Sequence, residues 1–169
     1  MIIGGVAVIA AGVPRQTIDI DATVLGRDID LNTVLSTFAA HGIQPRITDV
    51  VQFAREHQVL LLCHQQTGVT IEVTFAWLPF EEEALARARE VDLGGYRVRV
   101  ARPEDLIVYK AAAWRDRDRS DIERLLVLHL PEIDLDRVRK LISEISAALD
   151  DPRRIDDFDL MVGRARDSV

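Results

Sequence analysis

Two stretches of the chain alternate apolar and polar residues, and most of the remainder repeats apolar residues at helical spacing. In an extended strand successive side chains point to opposite faces, so over Thr17 to Asp21 the residues Thr17, Asp19 and Asp21 share one face and Ile18 and Ile20 the other. Val69 to Phe75 repeats this, with Val69, Ile71, Val73 and Phe75 on an apolar face and Glu72 among threonines on the polar one. Gln58 to His64 precedes it across Gln65 to Gly68, which predicts a hairpin. Gly26 and Arg27 predict a turn. Asp30 then caps a helix carrying Leu31, Val34, Leu35 and Phe38, and Gly42 closes it. A second helix is predicted from Asp49 to His57, burying Val50, Phe53 and Ala54.

The apolar run over residues 2 to 13 reads as strand, turn and helix. As a leader it lacks a preceding Lys or Arg, and it is too short to span a bilayer. Trp77-Leu78-Pro79 ends the sheet region, and Glu81-Glu82-Glu83 opens an exposed helix whose acids suit the helix dipole. Gly94-Gly95 leads into a strand from Tyr96 to Ala101. Pro103 starts a helix to Trp114, and Ser120 with Glu123 three residues later predicts a capping box opening another. Two more helices follow, Asp134 to Leu149 and Pro152 to about Arg166. The class expected is α+β: a mixed β-sheet flanked by helices over residues 1 to 101, and a helical C-terminal part over residues 102 to 169 packed on that core.

Composition changes this picture little. The 169 residues are 48% hydrophobic and 29% charged, ordinary for a soluble globule. The net charge of −7 is shared by both halves and argues against a dedicated nucleic-acid coat. Cys63 is the one cysteine, so no internal disulfide is expected, and the four histidines lack zinc spacing. A reducing cytoplasm fits, with no membrane segment.

The chemistry lies in the acids. If the two alternating strands pair, Asp19, Asp21 and Glu72 converge, and like charges so close recruit a cation or raise one another's pKa. Magnesium, or manganese in its place, is the usual answer, and magnesium points to a phosphate substrate. Gly4-Gly5 ends a short apolar strand ahead of a helical turn whose free N–H groups favour anions. The chain has five Asp-x-Asp pairs: Asp19/Asp21, Asp28/Asp30, Asp116/Asp118, Asp134/Asp136 and Asp157/Asp159. Only the first has two isoleucines on the opposite face and a glycine pair upstream. The alternative for it is a pair of surface acids on an edge strand.

Gly4-Gly5-Val6-Ala7, Pro14 to Asp21, and Arg102 to Lys110 followed by Arg115, Asp118 and Asp121 together resemble the nucleotidyltransferase superfamily of polymerase-beta type, in its AbiEii-like branch. The resemblance spans roughly residues 1 to 127, with Glu72 standing where aspartate is common. It implies the nucleotidyltransferase fold, and a toxin of a toxin–antitoxin system is among its outcomes. It implies transfer of an NMP from a Mg-bound NTP to an acceptor hydroxyl, with Asp19, Asp21 and Glu72 as metal ligands and catalytic acids. Gly4, Gly5, Arg15 and Thr17 would lie at the substrate, and Lys110 would offset charge at the phosphates. Lys110 is one of two lysines against 19 arginines; its alternative is a lysine snorkelling from a half-buried helix face. Asp118 and Asp121 are either catalytic or helix-terminal acids, and Arg15 either holds phosphate or braces a carboxylate. Partners implied are an NTP, a tRNA or protein acceptor and an antitoxin, and an oligomer is compatible. The rival reading is an inactive protein of this fold that binds a partner.

Overall fold

The computed structural model describes residues 1–26 and 29–168. Arg27 of the expected turn, and Asp28 of the second Asp-x-Asp pair, lie outside them. Two compact units emerge: one of residues 1–6 and 16–100, the other of residues 7–15 and 101–169.

The first unit is built on a seven-stranded mixed sheet, order β3-β4-β5-β2-β1-β7-β6. Its strands are β1 (Ile2–Ile3), β2 (Asp19–Leu25), β3 (Ile43–Pro45), β4 (Val59–His64), β5 (Thr70–Ala76), β6 (Arg89–Leu93) and β7 (Tyr96–Val100). The expected hairpin is β4 with β5, antiparallel, while β2 runs parallel to β5 with Asp21 opposite Glu72. Alternation then does the packing. Leu60, Leu62, Ile71, Val73 and Phe75 form a buried cluster with Leu31 and Ala54, and Ile20, Val24, Val34, Leu35, Phe38 and Val50 pack around it. Each large side chain fully removed from water contributes about 1.5–3 kcal/mol, so this apolar face fixes which face carries the acids.

Two helices supply that cluster's other half. In α2 (Leu31–Ala40) the Asp30 carboxylate accepts from Asn32 N–H at 3.1 Å, and Gly42 takes the left-handed φ of 72° that ends it. Next comes α3 (Val50–His57). The strand at Asp19 begins later and runs further than expected. Thr17 and Ile18 lie ahead of it, and Ile18 is 86% exposed, not on the apolar face.

The acidic helix also differs from expectation. Pro79 opens α4 (Pro79–Arg87), and Glu81 is buried, its Oε2 accepting from Trp77 and Leu78 N–H at 3.1 Å each. That carboxylate closes the chain entry to the helix, so it is structural. Strands β3 and β6 were not expected; β6 pairs antiparallel with β7.

The second unit is helical: α5 (Pro103–Ala113), α6 (Asp116–His129), a 3-10 turn over Leu130–Glu132, α7 (Leu135–Ala148) and α8 (Arg153–Asp167). Ser120 starts no helix. Asp118 accepts from the Arg115 N–H at 3.2 Å, which caps α6 at Asp116 and leaves Ser120 inside it. Leu106, Ile107, Ile122, Leu125, Leu126, Val138, Ile142 and Phe158 are buried there. The helix α1 (Gly4–Ala10) begins in the first unit and ends in the second. Among the described residues, no helix is long and apolar enough to cross a membrane.

Candidate functional site

Asp19 and Asp21 stand on β2, half-buried, on the face opposite the apolar cluster. Thr17, just ahead of the strand, donates its hydroxyl to Asp19 Oδ1, a side-chain bond that orients the carboxylate from two residues upstream. On the other flank β1 runs antiparallel to β2 with Ile3 opposite Asp21, so the next residue, Gly4, meets the Asp21 side chain. A Cβ on Gly4 would lie 1.8 Å from Asp21 Oδ2 and 2.6 Å from Cγ. Gly4 also has φ of +60°, a region that side chains disfavour. Both the backbone angle and the carboxylate therefore require glycine here. Gly5 follows in the first turn of α1 and is buried.

Glu72 comes to the same face by register. Directly paired residues of neighbouring strands project together, and one row across the sheet runs Leu61, Glu72, Asp21, Ile3. Its carboxylate, however, is engaged by Arg46, Nη2 to Oε1 at 2.8 Å, with both side chains partly exposed. Among the described residues no three acids, histidines or cysteines are gathered closely enough to hold a metal ion. The donor set that remains at β2 is two carboxylate groups, hard oxygen donors, on one strand face. This fits magnesium, which keeps its waters and uses one or two carboxylates together with substrate phosphates. One row inward, Thr23 is fully buried and its hydroxyl lies 2.9 Å from that of Thr74, closing the polar face with a satisfied pair.

Arg15 and Lys110 belong to the second unit, where they form a buried ion network. Lys110 Nζ lies 2.9 Å from Asp118 Oδ1 and 2.9 Å from Asp121 Oδ2. Arg15 Nη1 is 2.7 Å from Asp121 Oδ2, and Arg115 Nε 2.8 Å from Asp118 Oδ2. The lysine side chain is 9% exposed, so it does not snorkel to the surface. Burial pushes the Asp118 carboxyl upward, but hydrogen bonds and charge from Lys110 and Arg115 outweigh it and hold the group below the usual carboxylate value. Asp118 and Asp121 thus act as the lysine's counter-ions, and Arg15 braces a carboxylate.

Arg46 was missed in the sequence. It follows a three-residue strand ending in proline, and nothing local marks it; only the pairing of β3 with β4 and of β4 with β5 carries it toward Glu72.

The family model described as nucleotidyltransferase of unknown function (DUF6036) matches residues 1–166. Among curated proteins, none matches. A similar solved structure is an antigenic nucleotidyltransferase-like protein from Paracoccidioides brasiliensis, 17% identical, covering 92% of this chain and 83% of that chain, with a TM-score of 0.49.

Proposed function

Because the chain belongs to this nucleotidyltransferase family, we propose that it transfers a nucleoside monophosphate from an NTP to an acceptor hydroxyl and releases pyrophosphate. The acceptor oxygen bonds to the α-phosphorus, the α–β phosphoanhydride breaks, and the hydroxyl proton passes to a carboxylate, which we assign to Glu72. Asp19 and Asp21 would hold magnesium, which would supply positive charge against the triphosphate. Thr17 fixes the Asp19 carboxylate for that task. Gly4 brings backbone against Asp21 without a side chain, and Gly5 leaves phosphate oxygens room at the same turn. Lys110 and Arg15 act within the second unit by holding Asp118 and Asp121, a positioning role.

The observation that carries this reading is the contact of Asp21 with Gly4: the first glycine of the pair and the second acid of the Asp-x-Asp meet at van der Waals distance. The finer reading is a toxin of AbiEii-like kind, modifying a tRNA end or a protein side chain and countered by an antitoxin. A second reading, a protein of this fold that binds a partner without turnover, is favoured by the absence of a three-acid metal cluster among the described residues.

The test is a thermal shift with ATP, GTP, CTP and UTP, with and without Mg²⁺, followed by labelled NTP and cell extract. The enzyme is stabilised by metal and nucleotide together more than by either alone, and it labels an acceptor. A shift without labelling supports the second reading. No shift with any Mg-nucleotide overturns the first.

A further inference from the structure

Arg46 sits at the far end of the acidic row. Its N–H donates to Leu61 O at 2.9 Å, continuing the β3–β4 ladder one residue past Pro45. The row therefore reads Arg46, Leu61, Glu72, Asp21, Ile3. Residues aligned this way share a face, with neighbouring strands about 4.8 Å apart. Arg46 reaches over Leu61 and touches Glu72 through one guanidinium nitrogen and one carboxylate oxygen. Among the described residues, the rest of its guanidinium has no other partner. The side chain is 32% exposed and that of Glu72 45%, so the pair is wet and exchanges readily.

A row of carboxylates repels a polyphosphate except where a cation intervenes. Arginine matches phosphate with a planar fork that can bond two oxygens at once, and a phosphate carries more charge to meet it than one glutamate. We infer that Arg46 is a substrate-binding residue for the polyphosphate chain of the nucleotide, and that it holds Glu72 neutralised until the polyphosphate takes its place. Exchange of partners delivers the guanidinium to the phosphates and frees the Glu72 carboxylate in one motion. The inference rests on the proposed nucleotidyltransferase reading, and it adds a contact that reading does not need.

The test uses calorimetric titration of the full chain with Mg-tripolyphosphate, which has no base to be recognised, and with the four Mg-NTPs. Arg46→Ala is expected to weaken tripolyphosphate and the bound nucleotide by a similar factor, about tenfold or more for loss of a charged phosphate contact. Arg46→Lys recovers part of this. Glu72→Gln, which releases the guanidinium, leaves tripolyphosphate binding equal or tighter. Melting curves accompany each variant, and Arg46→Gln is read in the same way should Arg46→Ala not fold. If wild type binds a Mg-nucleotide while Arg46→Ala binds it and tripolyphosphate as well as wild type does, Arg46 is only the partner of Glu72 and the inference falls alone. If wild type binds no Mg-nucleotide, the proposed function falls and takes the inference with it.

Discussion

Removing the ammonium from the buried network of the second unit should cost stability before it costs chemistry. Lys110 lies 2.9 Å from each of two carboxylates, whose side chains are 1% and 6% exposed. Lys110→Met keeps the stem and deletes the charge. Stripping one partner from a buried ion pair costs about 3–5 kcal/mol. Neither acid is left alone, since Asp118 retains Arg115 and Asp121 retains Arg15; the low end, about 3 kcal/mol, is therefore expected. A chain of this size loses about 2–4 °C of Tm per kcal/mol, so the melt should fall by roughly 6–12 °C. Adding Asp118→Asn removes one of the stranded charges. Arg115, 61% exposed, can then turn to water, and the double variant should regain half of the loss or more. Circular dichroism melts and urea titrations of wild type, both singles and the double form the cycle. A Lys110→Met melt within about 2 °C of wild type, or a double variant that falls by the sum of the singles, refutes the reasoning.

Asp19→Asn or Asp21→Asn should each remove nearly all Mg-dependent nucleotide transfer, and the pair together little more, because the two act as one unit; additive losses would contradict this. Their melts without metal should hold or rise, since a like-charge pair is relieved. Gly4→Ala should cost about 1–3 kcal/mol from its positive φ and abolish the Mg-NTP thermal shift, because the new Cβ falls on the Asp21 carboxylate; an unchanged shift would remove that contact from the site. Asp118, whose folded pKa lies below its unfolded value, contributes stability in full above that unfolded value and loses it as pH falls through the folded one. Asp118→Asn should therefore flatten the drop in Tm below about pH 4, and an unchanged acid limb would count against it.

The sequence made the centre of the sheet legible and its edges not. Alternation of period two is a strong signal when one face is buried, which is why Ile20, Ile71, Val73 and Phe75 could be placed in the core beforehand. Of the two edge strands, β3 has three residues with Pro45 among them, and β6 has charges at Arg89, Glu90 and Asp92; neither offers enough periods to stand out. Helix starts divided in the same way. Asp30 caps as expected, accepting from a backbone N–H, and Asp134, expected as the first residue of its helix, proves to be that helix's cap. The Ser120 signal failed because a stronger start lies upstream, where Asp118 caps through Arg115 N–H and also receives Lys110. Composition singled out Lys110, but its counter-ions stand on the following helix, and a helix-to-helix contact leaves no local trace.

The Asp21–Gly4 contact shows how two weak signals become one specific arrangement. A glycine pair after apolar residues is common, and so is Asp-x-Asp, which this chain contains five times. The antiparallel register of β1 on β2, with Ile3 opposite Asp21, seats Gly4 at that carboxylate. The parallel register of β2 on β5 then puts Glu72 beside it, and the antiparallel register of β5 on β4 continues the row to Leu61 and on to Arg46. A slip of one residue in any of these ladders would turn the acids toward Leu60, Leu62 and Ile71 and expose the apolar cluster. Burial of that cluster on one face is thus what holds the carboxylates in line on the other, and the positions of Asp21, Glu72 and Arg46 follow from hydrophobic packing they take no part in.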